Sequence, residues 1–241
     1  MMDRRLLLIG AAASLLSACG GNLIGPPDAG PIYPLRPVFA PAPAGDKVGW
    51  SLAILRPDVP GGLDSDRIAL LQPDGSMDYY AKATYPDRLP ALVQRALLEG
   101  FEASGRIDAV AREEDALHAD YNLLVEVRDF QAVYAQPDGA PAVLVTLNAK
   151  LATAHGRKIV GVTTVTQKAD ASANSAAAAV AALQTALGAA VTQLAGWTLS
   201  AAPAIPPGTS VEAAQTATPG KNAEQLLHDV SRGPRQKAAP Q

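Results

Sequence analysis

Cys19 is the only cysteine in the 241-residue chain, and it closes the run Leu16-Ser17-Ala18-Cys19. An aliphatic residue, two small residues and a cysteine form the pattern at which a bacterial lipoprotein leader is cut. Cleavage between Ala18 and Cys19 would free the cysteine amine for acylation, palmitate being a typical acyl group, while the thiol takes a lipid through a thioether. The upstream residues suit that chemistry. Arg4 and Arg5 give a short basic start, and residues 6–16 are an uncharged run of 11. A membrane helix needs ~20 apolar residues, so residues 1–18 read as a removable signal peptide. Arg4-Arg5-Leu6-Leu7 matches a twin-arginine signal only in part. A lone cysteine in an exported chain would otherwise be an unpaired reactive thiol, a difficulty that lipidation removes. Gly20 follows the cysteine where, in lipoproteins of this kind, an Asp directs retention at the inner membrane. The expected address is therefore the outer membrane of a Gram-negative bacterium, lipid-anchored on the periplasmic face.

Other reactive side chains do not assemble into a motif. The sequence has no Gly-x-Ser-x-Gly elbow, Walker A loop, His-Glu-x-x-His or Cys-x-x-Cys. His118, His155 and His228 fall in a loop, a turn and the C-terminal tail, none at metal-ligand spacing. Asp64-Ser65-Asp66 resembles the start of a calcium loop, but Ile68 and a missing glycine break the pattern. Glu113-Glu114-Asp115 reads as solvated surface. No catalytic residue, metal site or cofactor is expected, and the chain reads as a non-enzyme. The most interesting polar group is Arg128-Asp129 beside Phe130. An ion pair at a bulge there would orient a candidate partner surface; ordinary strand residues facing water are the plainer alternative.

Charge excludes a further class. Removing residues 1–18 takes away Arg4, Arg5 and Asp3, leaving 18 basic and 22 acidic side chains and a net charge of −4. That balance offers no electrostatic footprint for nucleic acid or for anionic headgroups.

Four segments position these residues. After the signal, residues 19–47 form a lipidated, Pro-rich tether, with Pro26, Pro27, Pro31, Pro34, Pro37, Pro41 and Pro43. At polyproline spacing it would reach up to roughly 90 Å, with Ile32-Tyr33-Pro34-Leu35 as a patch that could dock on the domain. Residues 48–199 suit a single core. Residues 200–241, rich in Ala, Pro, Thr and Gln, are expected to be disordered. Within that tail, residues 222–230 carry a short amphipathic pattern through Leu226, Leu227 and Val230.

Within the domain, strands are expected at residues 50–55, paired with 67–71, and at 77–80 after the Pro73-Asp74-Gly75 turn. Leu89, Leu92, Val93, Ala96, Leu97 and Phe101 recur at helical spacing, with Asp87 as N-cap, Pro90 in the first turn and Gly105 as terminator. A short strand at 107–111 follows. Tyr121, Leu123, Val125 and Val127 alternate with polar residues. Phe130, Ala132 and Tyr134 continue the alternation shifted by one, which places a bulge near Asp129. Strands at 143–151 and 159–166 complete an antiparallel meander. A second helix spans 172–197 from a Ser172 cap. Its stripe of Val180, Leu183, Leu187, Val191 and Leu194 suits either packing on the sheet or a coiled-coil seam. The expected class is α+β, an antiparallel sheet of about five to six strands with two helices packed on it.

Residues 89–95 and 101–106, the run Asp120-Tyr121-Asn122-Leu123-Leu124-Val125-Glu126-Val127-Arg128-Asp129-Phe130, the Ala-rich terminal helix and Tyr33-Pro34-Leu35 together resemble the ABC-type transport auxiliary lipoproteins. The resemblance covers residues 19 to about 199. Where many relatives have a tryptophan before the first helix, this chain has Tyr85-Pro86-Asp87. It implies an auxiliary component of a lipid-transport system linking the two envelope membranes. The implied partners are an MCE-domain periplasmic protein and its ABC transporter, carried on separate chains. No nucleic acid is expected, the membrane is met through the N-terminal lipid, and assembly into a homo-oligomer stays open. The competing reading is a structural or assembly lipoprotein that scaffolds an outer-membrane protein or contacts the cell wall.

Overall fold

A computed structural model describes residues 30–41, 45–115 and 118–203. Among them lie seven strands and two helices: β1 (Val48–Ile54), β2 (Arg67–Leu71), β3 (Met77–Thr84), α1 (Leu89–Ala103), β4 (Ile107–Arg112), β5 (Tyr121–Val133), β6 (Ala142–Thr153), β7 (Ile159–Asp170) and α2 (Ala176–Ala201). Cys19, Ala18, His228 and the 200–241 tail beyond Pro203 lie outside the described residues.

The α+β class holds, but the sheet is mixed rather than purely antiparallel. β5, β6 and β7 form the expected antiparallel meander. β1, however, runs parallel to both β4 and β5, and β2 runs parallel to β5 and antiparallel to β3. The expected pairing of β1 with β2 is therefore corrected. The two strands lie end to end along one edge of β5: Leu52 to Ile54 face Tyr121 to Leu123, and Leu70 and Leu71 face Ala132 and Val133. Between them Asp58 bridges Glu126, with its N–H donating to the Val125 carbonyl at 2.9 Å. Alternation decides which face a residue points to, not which strand lies beside it. The α1 crossover brings the chain back for the parallel β1–β4 pair, which a hairpin cannot do.

Both helices cover one face of the sheet. α1 lies over β4 and β1, α2 over β6 and β7, and the helices touch each other. The core between the layers takes Leu52, Ile54, Leu123, Val127, Phe130, Leu147 and Leu151 from the strands and Leu89, Leu97, Phe101, Leu183 and Leu187 from the helices. α1 is capped at Arg88 rather than Asp87, without a side-chain hydrogen bond, and Gly105 leaves it at φ 62°. α2 starts after Ser175, not Ser172; the Ser175 hydroxyl accepts the Ala178 N–H at 3.2 Å. α2 is long and apolar enough to cross a membrane, but 56% of its most apolar window is buried in the fold. Its stripe packs on the sheet, which removes the coiled-coil seam.

The tether is the second correction. Residues 31–40 do not stand off the domain but form a strap bound to it. Leu35 and Pro37 are buried, and Arg36 and Ala40 are hydrogen-bonded to α2. The patch at Ile32 to Leu35 docks, and the contact continues to Ala40.

Candidate functional site

The strap is the element that leads from the N-terminal anchor motif to the fold. It begins at a single parallel bridge between Ile32 and Thr84: the Tyr33 N–H donates to the Thr84 carbonyl at 2.8 Å, and the Thr84 N–H to the Pro31 carbonyl at 3.3 Å. It then crosses to the helices and follows α2 in register. The Arg36 N–H donates to Gln184 Oε1 at 2.8 Å, and the Ala40 N–H to Thr192 Oγ1 at 3.2 Å. Between them the Val38 carbonyl lies on Gly188. Two extended residues advance ~6.6 Å and four helical residues ~6 Å, so the two elements stay in step. Two glycines make this approach feasible. A Cβ on Gly188 would overlap the Val38 carbonyl, and one on Gly100 would overlap Val191 and crowd the Phe39 ring. Both interrupt otherwise good helix formers, which is the sequence signal for close packing.

Among the described residues, no helix covers the other face of the sheet. Leu124, Lys150 and Val162 stand side by side across β5, β6 and β7. Leu124 is 38% and Val162 56% exposed. A depression of about 240 Å³ opens beside them where β5 passes from β1 to β2, lined by Arg56, Asp58, Glu126, Asn148 and Lys150. Asn148 is fixed there, its amide donating to Thr164 Oγ1 at 2.8 Å and to the Thr163 carbonyl at 3.2 Å.

Arg128, Asp129 and Phe130 lie within β5, at a register shift between Val127 and Asp129. They do not form one surface. Arg128 pairs with Glu126 at 3.3 Å, both side chains about half exposed. Asp129 instead accepts from Gln131 Nε2 at 3.1 Å. Phe130 is only 1% exposed, and its ring meets Tyr85 edge-on with centroids 6.4 Å apart. The bulge returns Phe130 to the face occupied by Val127. The expected Arg128–Asp129 ion pair and the placement of Phe130 on a partner surface are both corrected.

The remaining candidates have structural settings. Asp64 clasps Arg88 at the head of α1, with Oδ2 2.9 Å and Oδ1 3.0 Å from the guanidinium. That hydrogen bond holds the Asp64 carboxyl below its ordinary value and raises the Arg88 guanidinium. The Asp64-Ser65-Asp66 loop thus anchors a helix. Among the described residues, no group of three or more His, Cys, Asp or Glu is placed to hold a metal ion. His118 and His155 are exposed on separate turns, and Glu113, Glu114 and Asp115 are exposed. Sequence reasoning missed a hydroxyl chain: the Tyr134 O–H donates to Asn174 Oδ1 at 2.7 Å, which leaves Tyr80 to donate to Tyr134 at 2.9 Å. Burial, followed by the Tyr134 hydroxyl, pushes the Tyr80 phenol well above its usual value. Tyr85 is buried too, and its hydroxyl has no hydrogen-bond partner among the described residues. Burial raises its ionisation likewise.

The geometry has counterparts in known proteins. The sequence profile described as ABC-type transport auxiliary lipoprotein component matches residues 33–195, from within the strap to near the end of α2. An uncharacterized protein, bll6063, of Bradyrhizobium diazoefficiens is 32% identical over 194 residues, which is 80% of this chain and 51% of that protein. The chain thus spans about half the length of that curated relative. The crystal structure of XCC0632 from Xanthomonas campestris superposes with a TM-score of 0.65 at 33% identity, over 71% of this chain and 96% of the other. A second crystal structure, of an uncharacterized protein, shares the fold at a TM-score of 0.54 and 14% identity, over 70% of this chain and 99% of that one.

Proposed function

The chain belongs to the ABC-type transport auxiliary lipoprotein components, and from that premise we propose that it is the lipid-anchored, non-enzymatic adaptor of an intermembrane lipid-transport system. In this reading Cys19 carries the acyl chains, the domain faces the periplasm from the outer membrane, and the partner is an MCE-domain protein fed by a separate ABC transporter. The observation that carries the proposal is the family match over residues 33–195. It takes in most of the bound strap, all of α1 and most of α2, the elements that attach an anchored segment to a rigid body. The described residues suit an adaptor. Their polar groups clasp helices and strands, and the sheet face that no described helix covers offers apolar side chains amid charges, the composition of a binding surface.

The reading has a direct test. Crosslinking in intact cells, followed by purification through this chain, should enrich an MCE-domain protein. Recovery of the chain without any such protein would sink the proposal. Cys19→Ser should move the chain from the membrane fraction to the soluble periplasm, since one lipid chain binds marginally and two or more bind stably.

A further inference from the structure

We infer that the depression between residues 55–58 and β6 binds a small zwitterionic group, a primary ammonium joined by a short link to a phosphate or carboxylate. The inference goes beyond the adaptor reading and stands without the lipid anchor.

The depression, about 240 Å³ in volume, is lined by Arg56, Asp58, Leu124, Glu126, Asn148 and Lys150. An excursion of the chain makes it. The Leu55 N–H donates to the Leu123 carbonyl at 3.1 Å and the Asp58 N–H to the Val125 carbonyl at 2.9 Å, so a three-residue step here is matched by a two-residue step on β5. Sheet register then sorts the lining by charge. Asp58 bridges Glu126, and Glu126 faces Asn148, which sets three acceptors in one row. Lys150 faces Leu124 in the neighbouring row of the same face, and Arg56 precedes Asp58 by the same two residues. Two strand residues advance about 7 Å, so one small ligand can reach both rows.

The two rows do not neutralise each other. Among the described residues, Arg56, Asp58 and Lys150 form no ion pair with one another, and Glu126 turns to Arg128 on the far side of the acceptor row. Asn148 is only 6% exposed, and its orientation is fixed. The Thr163 carbonyl can only accept, so Nδ2 must face it, and the second amide hydrogen goes to Thr164 Oγ1. Both donors are spent on β7, which leaves Oδ1 as the polar atom this side chain can offer a ligand.

Charge complementarity selects the ligand. A lone anion drawn to Arg56 and Lys150 would meet Asp58 and Glu126, and a lone cation would meet the reverse; a zwitterion satisfies both rows. A primary ammonium can donate to Asp58 and to Asn148 Oδ1, charge-assisted bonds that a quaternary ammonium cannot form. The anionic end meets the arginine fork and the compact lysine charge, with Leu124 beside the linking methylenes. Arg56, Asp58 and Lys150 are exposed, so binding should weaken with salt.

The test titrates the full chain, in an uncharged detergent, with phosphoethanolamine, and follows binding by calorimetry and by the NMR signals of the Asn148 side-chain amide. Saturable binding that shifts those signals is expected. Phosphocholine, ethanolamine and inorganic phosphate, each lacking one half of the match, should bind about tenfold more weakly or worse. Asp58→Asn and Lys150→Gln, both at exposed positions, should each weaken phosphoethanolamine by about tenfold with melting unchanged, while Lys150→Arg keeps it. A further arm separates the sources of the group. Glycerophosphoethanolamine binding as tightly as phosphoethanolamine assigns it to a phospholipid headgroup, whereas binding of the monoester alone assigns it to a free solute. No saturable binding, inorganic phosphate or ethanolamine binding as tightly as phosphoethanolamine, or binding unchanged in both Asp58→Asn and Lys150→Gln would overturn the proposal.

Discussion

Gly188→Ala tests the strap by the sign of its effect. In an exposed or loosely packed helix, replacing glycine with alanine stabilises by ~1 kcal/mol because it removes backbone freedom from the unfolded chain. Gly196, in the same helix, has open space where an alanine methyl would sit, with no atom within 4 Å, and should show that gain. At Gly188 the added methyl meets the Val38 carbonyl, which is backbone and has no rotamer to escape by. Overpacking of this kind costs ~1–3 kcal/mol. The two effects oppose each other, so Gly188→Ala should lie about 1–3 kcal/mol below Gly196→Ala. Urea denaturation measures that gap, and by melting each kcal/mol corresponds to roughly 2–4 °C in a domain of this size. Hydrogen exchange locates it. The amides of Arg36 and Ala40, bonded to Gln184 and Thr192, should lose protection while those of β6 keep it. Equal stabilisation by both alanines, with Arg36 and Ala40 still protected, would refute strap docking.

Other substitutions test separate parts of the fold. Phe130→Ala should cost ~3–5 kcal/mol for a fully buried ring, whereas Arg128→Ala, which breaks an exposed pair, should stay within about 1 kcal/mol; comparable losses in thermal melts would contradict the placement of the two side chains. Tyr85→Phe removes a buried hydroxyl without a partner and should be neutral or stabilising by up to about 1 kcal/mol, while Tyr134→Phe, which breaks two hydrogen bonds, should destabilise by ~1–2 kcal/mol. Arg88 holds Asp64 below its unfolded value, so this contribution is full above the ordinary carboxylate range and fades as pH falls through the lowered folded value. Arg88→Met should therefore flatten the acid limb of stability against pH, and an unchanged limb would show the clasp to be inert. A Gly/Ser insertion between residues 28 and 29 should raise the domain above a vesicle, measured by energy transfer from a bilayer dye to a probe at Val162→Cys. The same insertion between residues 42 and 44 should leave that distance unchanged, because the strap is bound upstream of it.

Much of this architecture was written in side-chain periodicity. Alternation marked β5, β6 and β7, the slip of phase after Val127 marked the bulge, and the spacing from Leu89 to Phe101 marked α1. The same slip shows why Phe130 belongs inside: it resumes the face that Val127 leaves. Pairing was not legible, because a period of two carries no information about neighbours, and β1 and β2 share the β5 edge through contacts more than fifty residues apart in sequence. The strap was concealed by composition. Seven prolines between residues 20 and 47 describe an extended backbone, and an extended backbone suits a free tether and a bound strap equally. What separates the two lies elsewhere in the chain, at Gly100 and Gly188, where helix formers give way to residues without a Cβ.

The bound strap changes what an anchored domain of this kind can do. A free tether through residue 47 would let it roam up to roughly 90 Å from its lipid; with residues 31–40 bound, the fixed segment starts twelve residues after Cys19, at most about 43 Å of fully extended chain. On the lipidated reading such a domain stays near the membrane that holds its anchor. A short link also favours a fixed orientation, because every residue removed from the tether narrows the set of poses open to the domain. The strap enters beside β3 and runs along α2, on the helical side, whereas Leu124, Lys150 and Val162 lie on the opposite face of the sheet. Among the described residues, the strap and the helix-free surface are therefore divided between the two faces of one sheet. A rigid seven-stranded sheet between them would keep the surface presented to a partner independent of the pull of the anchor.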